Sequence, residues 1–343
     1  MEGMSSPAVQ QSISTLGRLK LRRPVHDLGA VDERLQGILT PGYTDAEIGC
    51  HVHETFLEDA GRYLAFCPID RGMIDHWKML IGQALRGHID FEQPNQEIID
   101  IGSGGGTTVF PTLELFAGSH VVATDLALPL LAEMRNLARR DAYESLSIVQ
   151  MNGEDSIFED EQADLVMGAH VLHHALSLET MFREIRRVLR PGKVAVFWEG
   201  FEHGAQILAS IFDLWIEMDK SRSEHLKEPL IRSLQLFTAD LQNRIGRNKP
   251  PEVLARLDDK WFFSHTHVRD LAAAAGFSQC EIRNIYGPVN VVRVLAEHEL
   301  KRWGHQWNDL PNWAQEKLLT IQARYSEDYL NENPFCCSLL LAR

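Results

Sequence analysis

The stretch Glu97-Ile98-Ile99-Asp100-Ile101-Gly102-Ser103-Gly104-Gly105-Gly106-Thr107 limits the possible folds more than any other. A short apolar run ends on an acid, a glycine-rich turn follows, and the chain to Ala117 reads as a helix. Without Cβ atoms such a turn bends sharply and lets a ligand lie against its amides. At a helix start those amides have no partner within the helix and face the ligand. A second apolar run, His120-Val121-Val122-Ala123-Thr124-Asp125, also ends on an acid. In a doubly wound sheet both acids reach one crevice at the carboxyl ends of the strands, where the second can accept ribose hydroxyls. A dinucleotide fingerprint would place a third glycine where Thr107 stands, and no basic residue adjoins Asp125 to take a 2′-phosphate.

Apolar runs continue at 147–151, 163–169, 193–199, 279–286 and 335–342, separated by helical spacing. Strands alternating with helices in this way give a parallel sheet covered on both faces. Pro111 fits only a first helical turn, so the helix after the glycines is expected to begin at Thr107 or Thr108. Ser177 is placed to cap the next-but-one helix, and Gly276 to close the helix over 267–275.

The D-x-G-x-G-x-G pattern from Asp100 resembles motif I of the class I S-adenosylmethionine-dependent methyltransferases. Several later segments resemble the same family: 125–131 its motif II, Met151-Asn152-Gly153-Glu154-Asp155 its adenine loop, and 164–174 its motif IV of small-molecule type. Leu189-Arg190-Pro191-Gly192-Lys193 and Ala274-Ala275-Gly276-Phe277 are further landmarks. The resemblance implies an α/β fold, Rossmann-like and doubly wound. Its sheet would be mostly parallel and seven-stranded with an antiparallel last strand, carrying an N-terminal and an inserted helical lid. It implies S-adenosyl-L-methionine as cofactor, held by Asp100, Gly102, Ser103, Gly104, Gly106, Thr107, Asp125, Leu126, Asn152, Gly153, Glu154 and His170. Where many relatives carry an acid this chain has Asn152, whose carbonyl oxygen can still accept from an adenine amino group.

His170, His173 and His174 follow the fourth core strand, and Glu199, Phe201 and His203 the fifth, so these side chains adjoin the expected transfer site. A hydroxyl or acidic carbon needs a base to become a methyl acceptor, and histidine suits neutral pH. The expected catalytic residues are His173, His174 and His203, serving O- or C-methylation of a small molecule in-line with the sulfonium bond, with N-methylation open. Alternatives are a protein methyltransferase and a relative that binds the cofactor without transfer. His265 and His267 lie two apart at a helix start and project differently, so no metal is expected.

The layout expected is a disordered tail over 1–16, a helical extension over 17–92, and the methyltransferase core over 93–200 and 261–343. Helical insertions over 201–260 and 290–332 would form a substrate cap. The net charge of −14 speaks against a nucleic-acid footprint. No apolar run approaches the ~20 residues that span a bilayer. The start of the chain lacks a secretory layout, and five cysteines without a C-x-x-C pair fit reduced thiols. A cytoplasmic protein of secondary metabolism is therefore expected, with a small-molecule acceptor, no nucleic-acid or membrane partner, and a homodimer open because relatives pack such extensions between subunits.

Overall fold

A computed structural model describes residues 13–52, 54–58, 60–285, 291–332 and 336–343. Among the described residues ten strands are present: β1 (Ile13–Leu16), β2 (Leu19–Asp27), β3 (Ile38–Thr40), β4 (Glu97–Ile101), β5 (His120–Asp125), β6 (Leu146–Gln150), β7 (Ala163–Ala169), β8 (Leu189–Gly200), β9 (Gln279–Asn284) and β10 (Cys336–Ala342). They form one sheet in the order β1-β2-β3-β6-β5-β4-β7-β8-β10-β9. From β6 to β8 neighbouring strands run parallel, and β10 is antiparallel to both β8 and β9. This is the doubly wound α/β arrangement with its antiparallel closing strand.

Consecutive residues of the central strands enter opposite cores, as a sheet covered on both faces requires. Ile99, Val122, Val166, Ala195 and Leu339 enter one core with Phe182, Ile185 and Leu271. Ile98, Val121, Leu165, Val196 and Leu340 enter the other with Trp77, Phe110, Leu131 and Met134. The helices of the first half are, in chain order, α1 (Asp45–His51), α2 (Glu54–Glu58), α3 (Ala60–Phe66), α4 (Arg71–Leu85), α5 (Val109–Leu115), α6 (Leu128–Arg140) and α7 (Leu178–Val188), the last four carrying all of these partners but Leu271. Thr108 is the N-cap residue of α5, so Pro111 falls in its first turn as expected. Ser177 caps α7 through the Thr180 amide.

The second half adds α8 (Glu202–Asp219), α9 (Glu228–Arg244), α10 (Pro251–Leu254), α11 (His265–Ala275), α12 (Val291–Arg302), α13 (Asn312–Gln322) and α14 (Glu327–Glu332). Gly276 closes α11 in the left-handed conformation at φ 86°. Phe212, Trp215, Phe237, Leu295 and Leu318 from the inserted helices build a third core. Cys336 and Cys337 are buried within β10.

The amino-terminal region differs from expectation. Residues 1–12 of the expected tail lie outside the described residues, but 13–16 form β1, paired antiparallel with β2. The segment 17–92 is not wholly helical, because it holds β2 and β3, which with β1 extend the seven-stranded sheet by three, with β3 parallel to β6. Leu19, Leu21 and Val25 point inward while Lys20 and Arg22 point out. That two-residue alternation is masked in sequence by the basic cluster around it. The helical pattern over 45–66 is split into three short helices. α7 stops at Val188, before Pro191-Gly192, because Leu189 already pairs with Ala163.

Candidate active site

Because β4, β5, β7 and β8 are parallel, their carboxyl ends open on one crevice. The turn after β4 is tied to the tip of β5. The Ser103 hydroxyl donates to Asp100 Oδ1 at 2.7 Å and accepts from the Thr124 amide at 2.9 Å, and the Ser103 amide donates to the Thr124 carbonyl. Gly102, Gly104 and Gly106 all have positive φ. At Gly106, with φ +102°, a Cβ would lie 2.5 Å from Phe110 Cε2, so only glycine lets α5 pack this close. The Gly106 amide is spent inside the turn and those of Ser103 and Gly104 on the tip of β5, which corrects the picture of a continuous row of free donors. Among the described residues the amides of Gly105 and Thr107 have no acceptor.

Asp125 Oδ2 accepts from the Gly104 amide at 2.9 Å and Oδ1 from the Ala127 amide at 2.8 Å, and each oxygen keeps a lone pair. Burial raises its carboxyl despite these bonds. Asp100 is fully buried, and among the described residues its Oδ2 has no hydrogen-bond partner. Burial pushes this carboxyl up to about 7, against the nearby Thr108 and Ser103 hydroxyls and with Asp125 adding repulsion.

A buried acid with a raised pKa favours the fold while protonated. Its contribution is complete below the ordinary 3.8 and is lost as pH rises through about 7. Asp100→Asn, which cannot ionise, is therefore expected to gain several degrees in Tm relative to wild type as pH rises from about 4 to 8. Thermal melts across that range check it, and a pH-independent difference would show an unperturbed carboxyl.

Of the adenine-loop residues, Gly153 is buried, and Asn152 Oδ1 caps its own turn by accepting from the Glu154 amide at 2.9 Å. The Glu154 oxygens accept from the Leu176 and Ser177 amides at 2.7 and 2.8 Å, so this side chain braces the loop before α7. Leu126 is buried, and its carbonyl takes the Gln150 amide group. The amino-terminal helices and the loop before them supply residues that sequence reasoning missed. The Tyr43 hydroxyl accepts from the Asn152 amide, and His51 Nε2 lies 3.2 Å from Asn152 Nδ2. Leu64 stands against Gly105, and Phe56 packs edge-on to His174 at 6.0 Å. Their amphipathic spacing announced helices but not which loops they would cover.

The histidines separate into distinct environments. Glu199 is fully buried. Its Oε1 accepts from the Val171 and Leu172 amides at 2.9 and 2.6 Å, and its Oε2 lies 2.7 Å from His173 Nδ1. His173 Nε2 lies 3.3 Å from Asp259 Oδ1. Against burial, which alone would lower it, the Glu199 and Asp259 carboxylates raise the His173 imidazole to about 9. His174 Nδ1 donates to the Asp258 carbonyl at 3.0 Å. Burial and the neighbouring His173 charge lower its pKa. His170 is held at φ 55°, a left-handed backbone uncommon for residues with a side chain, and its ring lies 6.0 Å from that of His173. His203 stands apart from this trio and packs on His265 at 5.4 Å, its buried Nδ1 without a hydrogen-bond partner among the described residues.

Residues 99–197 match the family described as a methyltransferase domain. The chain carries a class I S-adenosylmethionine-dependent methyltransferase domain. Its cofactor is S-adenosylmethionine. The domain is similar to the highly reducing polyketide synthase PKS2 of Leptosphaeria maculans, at 29% identity over 168 residues, 46% of this chain and 6% of that protein. It is 26% identical over 197 residues to the ubiquinone/menaquinone biosynthesis C-methyltransferase UbiE of Bartonella quintana, covering 57% of this chain and 69% of that one. A solved phosphoethanolamine N-methyltransferase 2 of Haemonchus contortus, in complex with S-adenosyl-L-methionine, aligns with a TM-score of 0.45 at 14% identity, over 83% of this chain and 60% of that one. The match spans 3–7% of the length of the polyketide synthases reported with PKS2. Among the described residues no helix is long and apolar enough to cross a membrane.

The crevice of this methyltransferase domain fits a cationic, sugar-bearing cofactor. A buried carboxyl, Asp100, and a half-buried one, Asp125, stand together with their pKa values raised, and among the described residues no cationic side chain pairs with either. Asp125 retains lone pairs for hydroxyl donors, and Gly105 and Thr107 offer amides.

Proposed function

We propose that this chain methylates an ionisable carbon or hydroxyl of a small-molecule acceptor, with His173 as the base and Glu199 as its anchor. The observation that carries the reading is the buried Glu199–His173 pair at the end of β7 and β8. A carboxylate on Nδ1 fixes the tautomer, so that in the neutral ring Nε2 carries the lone pair, and it makes that nitrogen more basic. A free amine would need no such device. When bound, S-adenosylmethionine supplies a methyl group already activated on its sulfonium, so the chain needs to position and deprotonate the acceptor. Asp125 would hold the ribose, and the Gly105 and Thr107 amides the remaining polar edge. Glu154 accepts the Leu176 and Ser177 amides through one lone pair on each oxygen and, like Asp125, keeps the other for the adenosine. The helices over 202–244 and 291–332 would form the cap over the acceptor. His174, with Nδ1–H fixed on a carbonyl and its pKa lowered, would orient the acceptor from the side. Orientation of this kind is worth roughly 7–11 kcal/mol in well-aligned systems. The name of one relative, the C-methyltransferase UbiE, favours carbon.

Incubation with methyl-labelled S-adenosylmethionine and a library of 1,3-dicarbonyl compounds, phenols, amines and peptides tests this, read by mass spectrometry. Labelled product among the carbon acids or phenols is expected. Labelling confined to amines or peptides, or cofactor binding with no transfer to any class, would overturn it.

A further inference from the structure

The segment 258–260 clamps the two active-site histidines. The Asp258 carbonyl takes His174 Nδ1 at 3.0 Å, the Lys260 amide donates to the His173 carbonyl at 2.7 Å, and Asp259 Oδ1 stands 3.3 Å from His173 Nε2. With Glu199 on Nδ1, both ring nitrogens of His173 are therefore taken, and the one that a base must use is covered. Asp259 Oδ2 is held independently by the inserted helices, 3.0 Å from Arg244 Nη1 of α9 and 3.2 Å from Arg302 Nη2 of α12. Arg244 is itself fixed by Asp240 at 3.1 Å and lies over the Phe262 ring. A rotation that frees Oδ1 thus leaves Asp259 paired with two guanidiniums and creates no orphaned charge.

Resting on the reaction proposed above, we infer that Asp259 is a positioning residue that occupies the acceptor's place on His173 and yields it when the acceptor binds. Its carboxylate oxygen marks where the acceptor oxygen or acidic carbon must lie. While Asp259 is there, His173 is an imidazolium. As the acceptor displaces it, the Nε2 proton passes to solvent and Nε2 regains its lone pair. Nε2 then takes the proton from the acceptor O–H or C–H, and the electron pair left behind forms the bond to the methyl carbon. The cycle ends on an imidazolium, the form that Asp259 recaps as product leaves. Around His173 stand Glu199 of β8, Asp259, and His170 and His174 on its own loop; Asp258 faces His174, Arg244 and Arg302 of the inserted helices hold Asp259, and His298 acts on His170. Among these the Glu199 and Asp259 carboxylates raise the His173 pKa most.

The test uses the full chain with ¹⁵N-labelled histidine, comparing wild type, Asp259→Asn and Asp259→Glu, each first shown by thermal melt to be folded. By NMR, His173 is expected to titrate at least about one pH unit lower in Asp259→Asn, a tenfold loss in proton affinity, and to return in Asp259→Glu. With an acceptor that is turned over, Asp259→Asn is expected to lower acceptor KM several-fold and move the acidic limb of kcat/KM down by the same interval. An unchanged His173 titration overturns the inference, as does a fall in kcat with KM and the pH limb unmoved. If no acceptor is turned over, the proposed reaction fails, and the NMR comparison still decides whether Asp259 holds His173 charged.

Discussion

Asp125→Ala is expected to weaken S-adenosylmethionine binding by about 10²–10⁴-fold, measured by calorimetry against wild type. The figure follows from two hydrogen bonds to a charged oxygen pair at roughly 1.5–3 kcal/mol each, with 1.4 kcal/mol per factor of ten. The carboxylate sits at the end of β5 with one lone pair free on each oxygen, because the Gly104 and Ala127 amides use only one apiece. Those amides lose their acceptor in the variant, which loosens the turn, but an acid whose pKa burial has raised is removed as well. The two effects on the fold oppose each other, so Tm should stay within a few degrees while affinity collapses. Asp125→Asn separates the contributions, since its single carbonyl can serve one amide but not hold a diol with charge. Alanine at 125 binding the cofactor as wild type does would remove the sugar-holding role and with it the reading of the crevice.

That Asp125 could be singled out at all shows what the residues reveal unaided. Where local rules act alone, the sequence pattern and the structure agree: β4, β5 and β7 fall on the residues expected, Ser177 and Gly276 cap where expected, and Gly102, Gly104 and Gly106 take positive φ. Apolar runs, caps and positive φ are decided within a few residues of chain. The site was legible only as far as its own loops. Asp100, Asp125 and the histidines after β7 were visible because strand order puts them at one end of the sheet. Nothing in Asp258-Asp259-Lys260, a polar break between helices, announces that it folds back on His173, since that contact spans 86 residues of sequence. Tyr43, His51, Arg244 and Arg302 were hidden for the same reason. His203 shows the converse error, because following the right strand did not bring it to the trio and its ring packs on His265 instead. The β1–β3 extension was missed because Arg22, Arg23 and Pro24 interrupt an alternation that burial of Leu19, Leu21 and Val25 makes plain.

Glu199→Gln is expected to have the larger consequence for turnover, lowering kcat by about 10²–10⁴-fold, the range by which a positioned base accelerates proton transfer. The substitution keeps a carbonyl for the Val171 and Leu172 amides but removes the charge from His173 Nδ1. Breaking a buried ion pair from one side costs about 3–5 kcal/mol because the remaining charge is stranded. Here Asp259 still compensates His173, so the lower end applies, and the variant should melt several degrees below wild type. The loss must also depend on pH in a definite sense. His173 is raised, so its share of the stability is complete below the ordinary 6.5 and vanishes as pH climbs through about 9. Glu199 is lowered by burial-opposed attraction to His173, so its share is complete above the ordinary 4.5 and vanishes as pH falls through its depressed value. The gap in Tm between wild type and Glu199→Gln should therefore be widest between about pH 5 and 6.5 and narrow toward pH 10. Melts that keep a constant gap over this span would mean that the pair is a neutral hydrogen bond, and a neutral pair could not make His173 a stronger base than an ordinary histidine. The same measurement, made without any acceptor, thus bears directly on whether this crevice can draw a proton from carbon or oxygen.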